Sequence, residues 1–146
     1  MKIAVACDHG GFRLKNVLMD EMKKQGYDVV DFGTYNEESC DYPDFASKAA
    51  KAVASGECDK GVVVCGTGIG VSITCNKVKG IRCALIHDVF SAKATRAHND
   101  TNMMAMGQRV IGEGLAIEVM NAWLHTEYEG GRHDLRIEKM MKLEEE

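Results

Sequence analysis

Gly61-Val-Val-Val-Cys65-Gly-Thr-Gly-Ile-Gly70 is the stretch that decides the fold. Three consecutive valines leading to a cysteine are apolar toward both sides of an extended chain, the pattern of a strand buried on both faces of a parallel sheet. The run stops at a loop, Gly66 to Gly70, with three glycines in five residues. Helical periodicity begins where the loop ends, over Gly70 to Lys77. A buried strand that passes through a glycine-rich turn into a helix is one half of a βαβ unit.

Working outward, the same alternation repeats. Ile3 to Cys7, Asp28 to Phe32, Arg82 to Ile86 and Met103 to Met106 read as the other strands. Phe12 to Lys24, Phe45 to Ala54, Val89 to His98 and Gly114 to His125 read as helices, with Leu14, Val17, Leu18 and Met22 marking the buried face of the first. The only proline, Pro43, stands just ahead of the second helix, where its fixed φ suits the first turn. The order βαβαβαβαβα predicts an α/β fold, a doubly wound, Rossmann-like parallel sheet of five strands in the order 2-1-3-4-5. After the fifth helix, Tyr128-Glu-Gly-Gly-Arg132 breaks the chain before a polar helical stretch from Arg132 to Leu143. Leu135, Ile137, Met140, Met141 and Leu143 have no core to enter there, so this C-terminal helix is expected to pack on a partner subunit.

With 146 residues, 45% hydrophobic and 27% charged, the chain suits a single domain over 1–146. A formal charge of -4 gives no broad cationic field for nucleic acid, and no polybasic run suggests a membrane surface. Asp8 cuts the first apolar stretch too short for a signal peptide, so the expected location is cytoplasmic. The six cysteines form no CxxC pair or zinc-type spacing with histidine and read as reduced thiols. Cys7, Cys65, Cys75 and Cys83 lie in or beside apolar segments, where a small buried hydrophobe is the default. The Met103, Met104, Met106 cluster reads as a buried strand, and His87, His125 and Trp123 as packing or surface residues.

In an open parallel sheet, ligands bind at the carboxyl ends of the strands where strand order reverses, here between strands 1 and 3. The residues just past those strands are Asp8-His9-Gly10-Gly11 and Cys65 to Gly70. The backbone of Gly66, Thr67, Gly68, Ile69 and Gly70 can turn tightly and present N–H groups to an anion, although a plain strand-to-helix turn would use the same residues. The loop is neither GxxxxGK[ST] nor GxGxxG, which counts against a nucleotide. Cys65 stands at the start of a helix, where the dipole and amide donors favour thiolate over thiol, so it is a candidate general base; an inert core cysteine is the alternative. A phosphatase-like nucleophile would want an arginine where Val71 stands. Asp8 either lines the crevice or caps the next helix, and His9 either lines it or is solvated. Tyr42 and Asp41 either wall the pocket or belong to the surface.

His98 and Asn99 end the fourth helix. A helix of ten or eleven residues runs back about 15 Å from the crevice, so within one subunit His98 cannot share a substrate with Cys65. Arg132 and Arg136 follow the fifth helix, and their i, i+4 spacing puts both on one face. If these three act at all, they serve the partner's Cys65; otherwise His98 caps a helix end and the arginines are solvated charge. Arg109 follows strand 5 on the Cys65 side, as anion ligand or as rim.

The motifs ACDHGG (Ala6 to Gly11), DYPD (Asp41 to Asp44), VVCGTGIG (Val63 to Gly70), RAHND (Arg96 to Asp100), MGQRVIG (Met106 to Gly112) and GGRHDLR (Gly130 to Arg136) resemble those of the type B ribose-5-phosphate isomerases and the related galactose-6-phosphate isomerase subunits, over nearly the whole length. That resemblance implies aldose–ketose interconversion of a sugar phosphate through an enediolate, with no metal or other cofactor. It implies that Cys65 moves the proton between C2 and C1 with Thr67 beside it, and that amides of Gly66 to Gly70 hold the oxyanion. It further implies that His98 opens the furanose ring, that Asp8 orients sugar oxygens, and that Asn99, Arg109, Arg132 and Arg136 bind substrate. Ribose 5-phosphate is the leading substrate, with allose 6-phosphate or another aldose phosphate also fitting. A homodimer with shared active sites is expected, able to pair into a dimer of dimers. The alternatives are one subunit of a galactose-6-phosphate isomerase, or a phosphate-binding module without turnover.

Overall fold

Strands form where β-branched and other apolar residues run without a break, and the computed structural model, which describes residues 1–146, has five: β1 (Lys2–Cys7), β2 (Asp28–Asp31), β3 (Lys60–Cys65), β4 (Cys83–Leu85) and β5 (Met103–Gly107). Six helices connect and follow them: α1 (Phe12–Lys24), α2 (Tyr42–Ala54), α3 (Ile69–Asn76), α4 (Val89–Asn99), α5 (Glu113–His125) and α6 (His133–Lys142). Pro43 lies inside the first turn of α2, where its missing N–H costs no hydrogen bond. No helix is long and apolar enough to cross a membrane.

The α/β class and the all-parallel sheet agree with expectation, but the outer strands are exchanged: the order is β2-β1-β3-β5-β4. Burial explains the exchange. All five residues of β5 are buried, as a strand flanked on both sides must be, whereas β4 has three residues, one of them exposed. A short strand with a wet residue belongs at an edge. The consequence is chemical, because β5 rather than β4 lies beside β3 and brings its own following turn to Cys65.

Side chains alternate between two cores, as the two-residue period of a strand requires. Ile3, Val5, Val62, Val64, Met104 and Met106 face α1 and α5, with Trp123 fully buried among them. Ala4, Ala6, Val63, Cys65, Met103 and Ala105 face α2 and α3, whose contact residues are mostly alanine, with Val71 and Cys75. The methionine strand is core, as predicted, and Trp123, for which packing and surface were both open, is core as well. Cys7, Cys65 and Cys75 are buried as expected, Cys58 is buried as well, and Cys83 is only half-buried.

Helix α6 departs from this economy. His133 is its only buried residue, while Leu135, Met140 and Leu143 are exposed. Of the apolar residues that the sequence left without a core, Ile137 and Met141 are half-buried, Met141 against Arg82, and the other three are uncovered in the single chain.

Candidate active site

The strand register sets the site. Cys7 of β1 is level with Val64 of β3, and Cys65 is level with Gly107 of β5. Three turns therefore meet: Asp8 to Gly11, Cys65 to Gly70, and Gly107 to Arg109. The last two are stitched together, since the Gln108 N–H donates to the Cys65 carbonyl at 2.9 Å and the Arg109 N–H to the Gly66 carbonyl at 3.0 Å.

Cys65 is 5% exposed, at the end of β3. Its Sγ accepts a hydrogen bond from the Gly68 N–H at 3.1 Å. That contact requires a sharp turn, and Gly68 makes it with φ +79. A side chain there would meet the β5 backbone at Met106, so both conformation and space call for glycine. The Thr67 Oγ1 accepts from the Ile69 N–H at 3.2 Å and closes the start of α3. The N–H groups of Gly66, Thr67 and Gly70 donate to no protein acceptor and remain open to an anion at the positive end of α3.

The neighbours fall around this loop. Asp8 is buried and holds the first turn, its Oδ1 accepting from the Gly10 N–H at 2.9 Å. It therefore does cap the short turn after β1, while also lying at the mouth of β3. His9 is exposed, and its Nδ1 accepts from the Cys40 N–H at 3.2 Å, which leaves Nε2 free. Tyr42 begins α2 with its ring against Gly70, close enough that a β-carbon on Gly70 would meet Cζ at 2.7 Å. The methylenes of Arg109 cover Gly66, with Cδ about 3.3 Å from where a β-carbon would stand. Asp8, Cys65, Thr67, the glycine loop, Tyr42 and Arg109 thus share one end of the sheet, joined by His9 in the turn after β1.

His98, Asn99, Arg132 and Arg136 belong to a different place. His98 and Asn99 end α4, whose 11 residues carry them about 16 Å back from the sheet's carboxyl edge. The His98 ring stacks on His133 with centroids 4.6 Å apart, which brings it to the start of α6 beside Arg132. Arg132 and Arg136 are exposed, and the Arg136 Nη1 donates to the Arg132 carbonyl at 3.5 Å. The candidates therefore form two separate groups in one chain. Neither cavity of the single chain reaches Cys65: one of about 430 Å³ lies beneath α6 near Arg82 and Met141, and one of about 360 Å³ adjoins His98 and Glu129. Cys65 itself is almost covered, beneath the more exposed Thr67 and Ile69.

Three supporting residues lie outside the candidates that the sequence singled out. His87, read as packing or surface, accepts the Gly107 N–H on Nε2 at 2.8 Å, and partial burial pushes its pKa down. Gly107 in turn lies against the Thr67 backbone, so His87 braces the anion loop from below. Gln108 ties the start of α1 to the site, its Oε1 accepting from the Leu14 N–H at 3.0 Å. Lys15, fully buried, donates to both Asp31 oxygens at 2.8 and 2.9 Å and to the Thr34 carbonyl. The sequence offered a signal for Lys15, a lysine among Leu14, Leu18 and Met22 on the buried face of α1, but none for the other two.

With this geometry in hand, comparison with known proteins is specific. Residues 3–140 match the family described as Ribose/Galactose Isomerase. Ribose-5-phosphate isomerase B of Escherichia coli is 47% identical over 144 residues, covering 99% of this chain and 97% of that protein. The solved ribose-5-phosphate isomerase B of Clostridium thermocellum superposes with a TM-score of 0.98 at 51% identity, covering 99% of this chain and 98% of the other. That of Mycoplasma genitalium, solved with bound ribulose-5-phosphate, gives a TM-score of 0.95 at 36% identity, covering 99% and 97%. Matched along nearly its whole length in both sequence and fold, this chain belongs to the ribose/galactose isomerase family.

Proposed function

We propose that the chain interconverts ribose 5-phosphate and ribulose 5-phosphate, with Cys65 as the general base. The observation that carries the proposal is the Gly68 N–H directed at the Cys65 sulfur at 3.1 Å, within a loop whose other amides are unspent. A thiolate there takes the proton from C2 of the open-chain aldose, the carbonyl at C1 becomes the enediolate oxygen, and the same sulfur returns the proton to C1 while the O2 hydroxyl proton passes to O1, so that the carbonyl re-forms at C2. The open amides of Gly66, Thr67 and Gly70 stabilise the oxyanion that develops between these steps; preorganised donors of this kind contribute about 10²–10³ each. Thr67 and Asp8 hold sugar hydroxyls, with His9, Tyr42 and Ile69 walling the substrate. The likeness to relatives named for ribose 5-phosphate, one holding ribulose-5-phosphate, supports this substrate over other aldose phosphates.

The second group completes the site in a homodimer. His98 of one subunit opens the furanose ring bound at the other's Cys65, while Asn99, Arg132 and Arg136 meet the sugar phosphate from the far side, facing Arg109. Planar guanidinium forks suit a phosphate dianion. The placement of the two groups at opposite edges of the sheet and the exposed Leu135, Met140 and Leu143 support an assembly of this kind. The reaction belongs in the cytoplasm, where thiols stay reduced.

Cys65→Ala is expected to abolish exchange of the C2 hydrogen with solvent while leaving binding of ribose 5-phosphate within severalfold, because the base acts in the transition state. Unchanged turnover would refute the assignment. Inactive Cys65→Ala and His98→Asn dimers, dissociated and mixed, are expected to regain activity in heterodimers, each of which carries one intact site. Proven heterodimers without activity would refute the shared site.

A further inference from the structure

His98 and Glu129 line the 360 Å³ hollow at the end of α4, with His133 next to them, and of the three only His98 has a role in the proposed chemistry. His98, Glu129 and His133 place one ligand atom each within 4.8 Å of one another. We propose that these residues form a binding site for a zinc-class divalent cation, and that occupancy withdraws the His98 imidazole from catalysis. The regulatory half of this proposal rests on His98 being the ring-opening residue; the metal site does not.

The set is assembled from three elements that hold one another in place. His98 is next to last in α4 and His133 opens α6. Glu129 lies between α5 and α6, and its N–H donates to the Ala97 carbonyl at 3.1 Å, which pins it to the end of α4. Two imidazoles and a carboxylate are a donor set that binds Zn²⁺ with a fourth position left for water. Glu129 Oε2 and His133 Nε2 stand 3.6 Å apart, beyond hydrogen-bond reach, so neither lone pair is committed to the other. The His98 and His133 rings are nearly parallel, 19° between planes. In that stack both rings cannot aim a lone pair at one point, so His98 must swing. Ligand bonds of about 2.0–2.1 Å put tetrahedral donors about 3.4 Å apart, so the widest pair must also close by up to about 1.4 Å, whereas Glu129 and His133, at 3.6 Å, are nearly in place. In the single chain His98 and Glu129 are exposed, which leaves room for that movement, whereas His133 is buried and supplies the fixed ligand. Lys93 lines the same hollow and Arg132 adjoins His133, both opposing a cation. This favours a metal that bonds strongly to neutral imidazole over Mg²⁺ or Ca²⁺, which want oxygen ligands.

The test uses the intact protein with Zn²⁺ and Co²⁺. Co²⁺ is expected to give a visible spectrum of tetrahedral nitrogen and oxygen ligation, displaced by Zn²⁺ and insensitive to excess Mg²⁺. Glu129→Gln and His133→Gln are each expected to weaken Zn²⁺ binding by about tenfold or more. Zn²⁺ is expected to inhibit turnover of ribose 5-phosphate, and Glu129→Gln, which leaves metal-free activity unchanged, to relieve that inhibition. Binding unaltered in both variants, or an intense near-ultraviolet band of thiolate ligation in its place, would overturn the site. Binding lost in both variants but without inhibition in the parent would retain the metal site and overturn its regulatory role.

Discussion

Replacing Gly68 by alanine separates the anion loop's geometry from its mere presence. Gly68 has φ +79 and ψ -11, a left-handed conformation that costs an L-residue about 1–2 kcal/mol. A β-carbon there would stand 2.6 Å from Leu85 Cδ1 and 2.8 Å from the Met106 carbonyl carbon. Leu85 is exposed and can turn aside, but Met106 is strand backbone at the centre of the sheet. Overpacking of this kind adds about 1–3 kcal/mol, so the total loss is about 2–5 kcal/mol. For a domain of this size each kcal/mol lowers Tm by about 2–4 °C. The clash is relieved by moving the loop away from β5, which takes the Gly68 N–H off the Cys65 sulfur and carries the neighbouring open amides of Thr67 and Gly70 off the oxyanion; loss of one such oxyanion donor costs about 10²-fold in kcat. Gly26→Ala is the control, because Gly26 has φ +88 and nothing within 4 Å of a new β-carbon. It carries the conformational cost alone and should leave kcat unchanged. The assays are urea denaturation and initial-rate isomerisation of ribose 5-phosphate. If Gly68→Ala is no less stable than Gly26→Ala and turns over within about threefold of the parent, crowding against β5 does not position the loop and the reasoning fails.

Two further perturbations probe the supports. Burial depresses the His87 pKa, so between about 6.5 and its lower folded value the unfolded chain binds more protons than the folded one, and stability falls as pH drops through that window. His87→Gln keeps an acceptor for the Gly107 N–H and cannot titrate; denaturation curves at pH 7.5 and 5 are expected to show a smaller acid loss in the variant, and an equal loss would exclude His87 as its source. Lys15→Met leaves Asp31 without its buried partner. Because the Asp31 side chain is 24% exposed, the cost should fall at the low end of that for a broken buried pair, about 3 kcal/mol by urea denaturation. A loss below about 1 kcal/mol would mean that water replaces the ammonium.

How far the sequence could be read depended on whether a signal was local. Val62 to Val64 and the glycines after Cys65 announced a buried strand, its turn and the following helix, and α1 runs over Phe12–Lys24 as its apolar spacing predicts. Strand order was harder, because pairing is a contest between segments far apart in the chain. The evidence was nevertheless present: Met103 to Gly107 is apolar throughout, whereas Arg82 opens the other segment with a charge that cannot enter a central strand. Assuming the commoner order set that contrast aside. His87 was illegible for a different reason. Its role is to accept one main-chain N–H, and no composition or spacing marks a residue for that.

The same dependence on direction bears on the site. A parallel strand must deliver its carboxyl end to one edge of the sheet, and the helix after it must return to the other. Residues ending strands and residues ending helices are thereby sorted to opposite edges before any side chain packs. Cys65 and Arg109 follow strands; His98 and Arg132 follow helices. Folding alone does not unite them, so if both groups act on one small metabolite, symmetry must, with two copies laid so that the strand edge of each meets the helix edge of the other. The exposed apolar side of α6 is what such an arrangement would cover. On this reasoning the proposed mechanism and the proposed assembly stand or fall together: a monomer that retained full turnover at concentrations too dilute for association would contradict both, because no rearrangement short of unfolding brings the end of α4 to the end of β3.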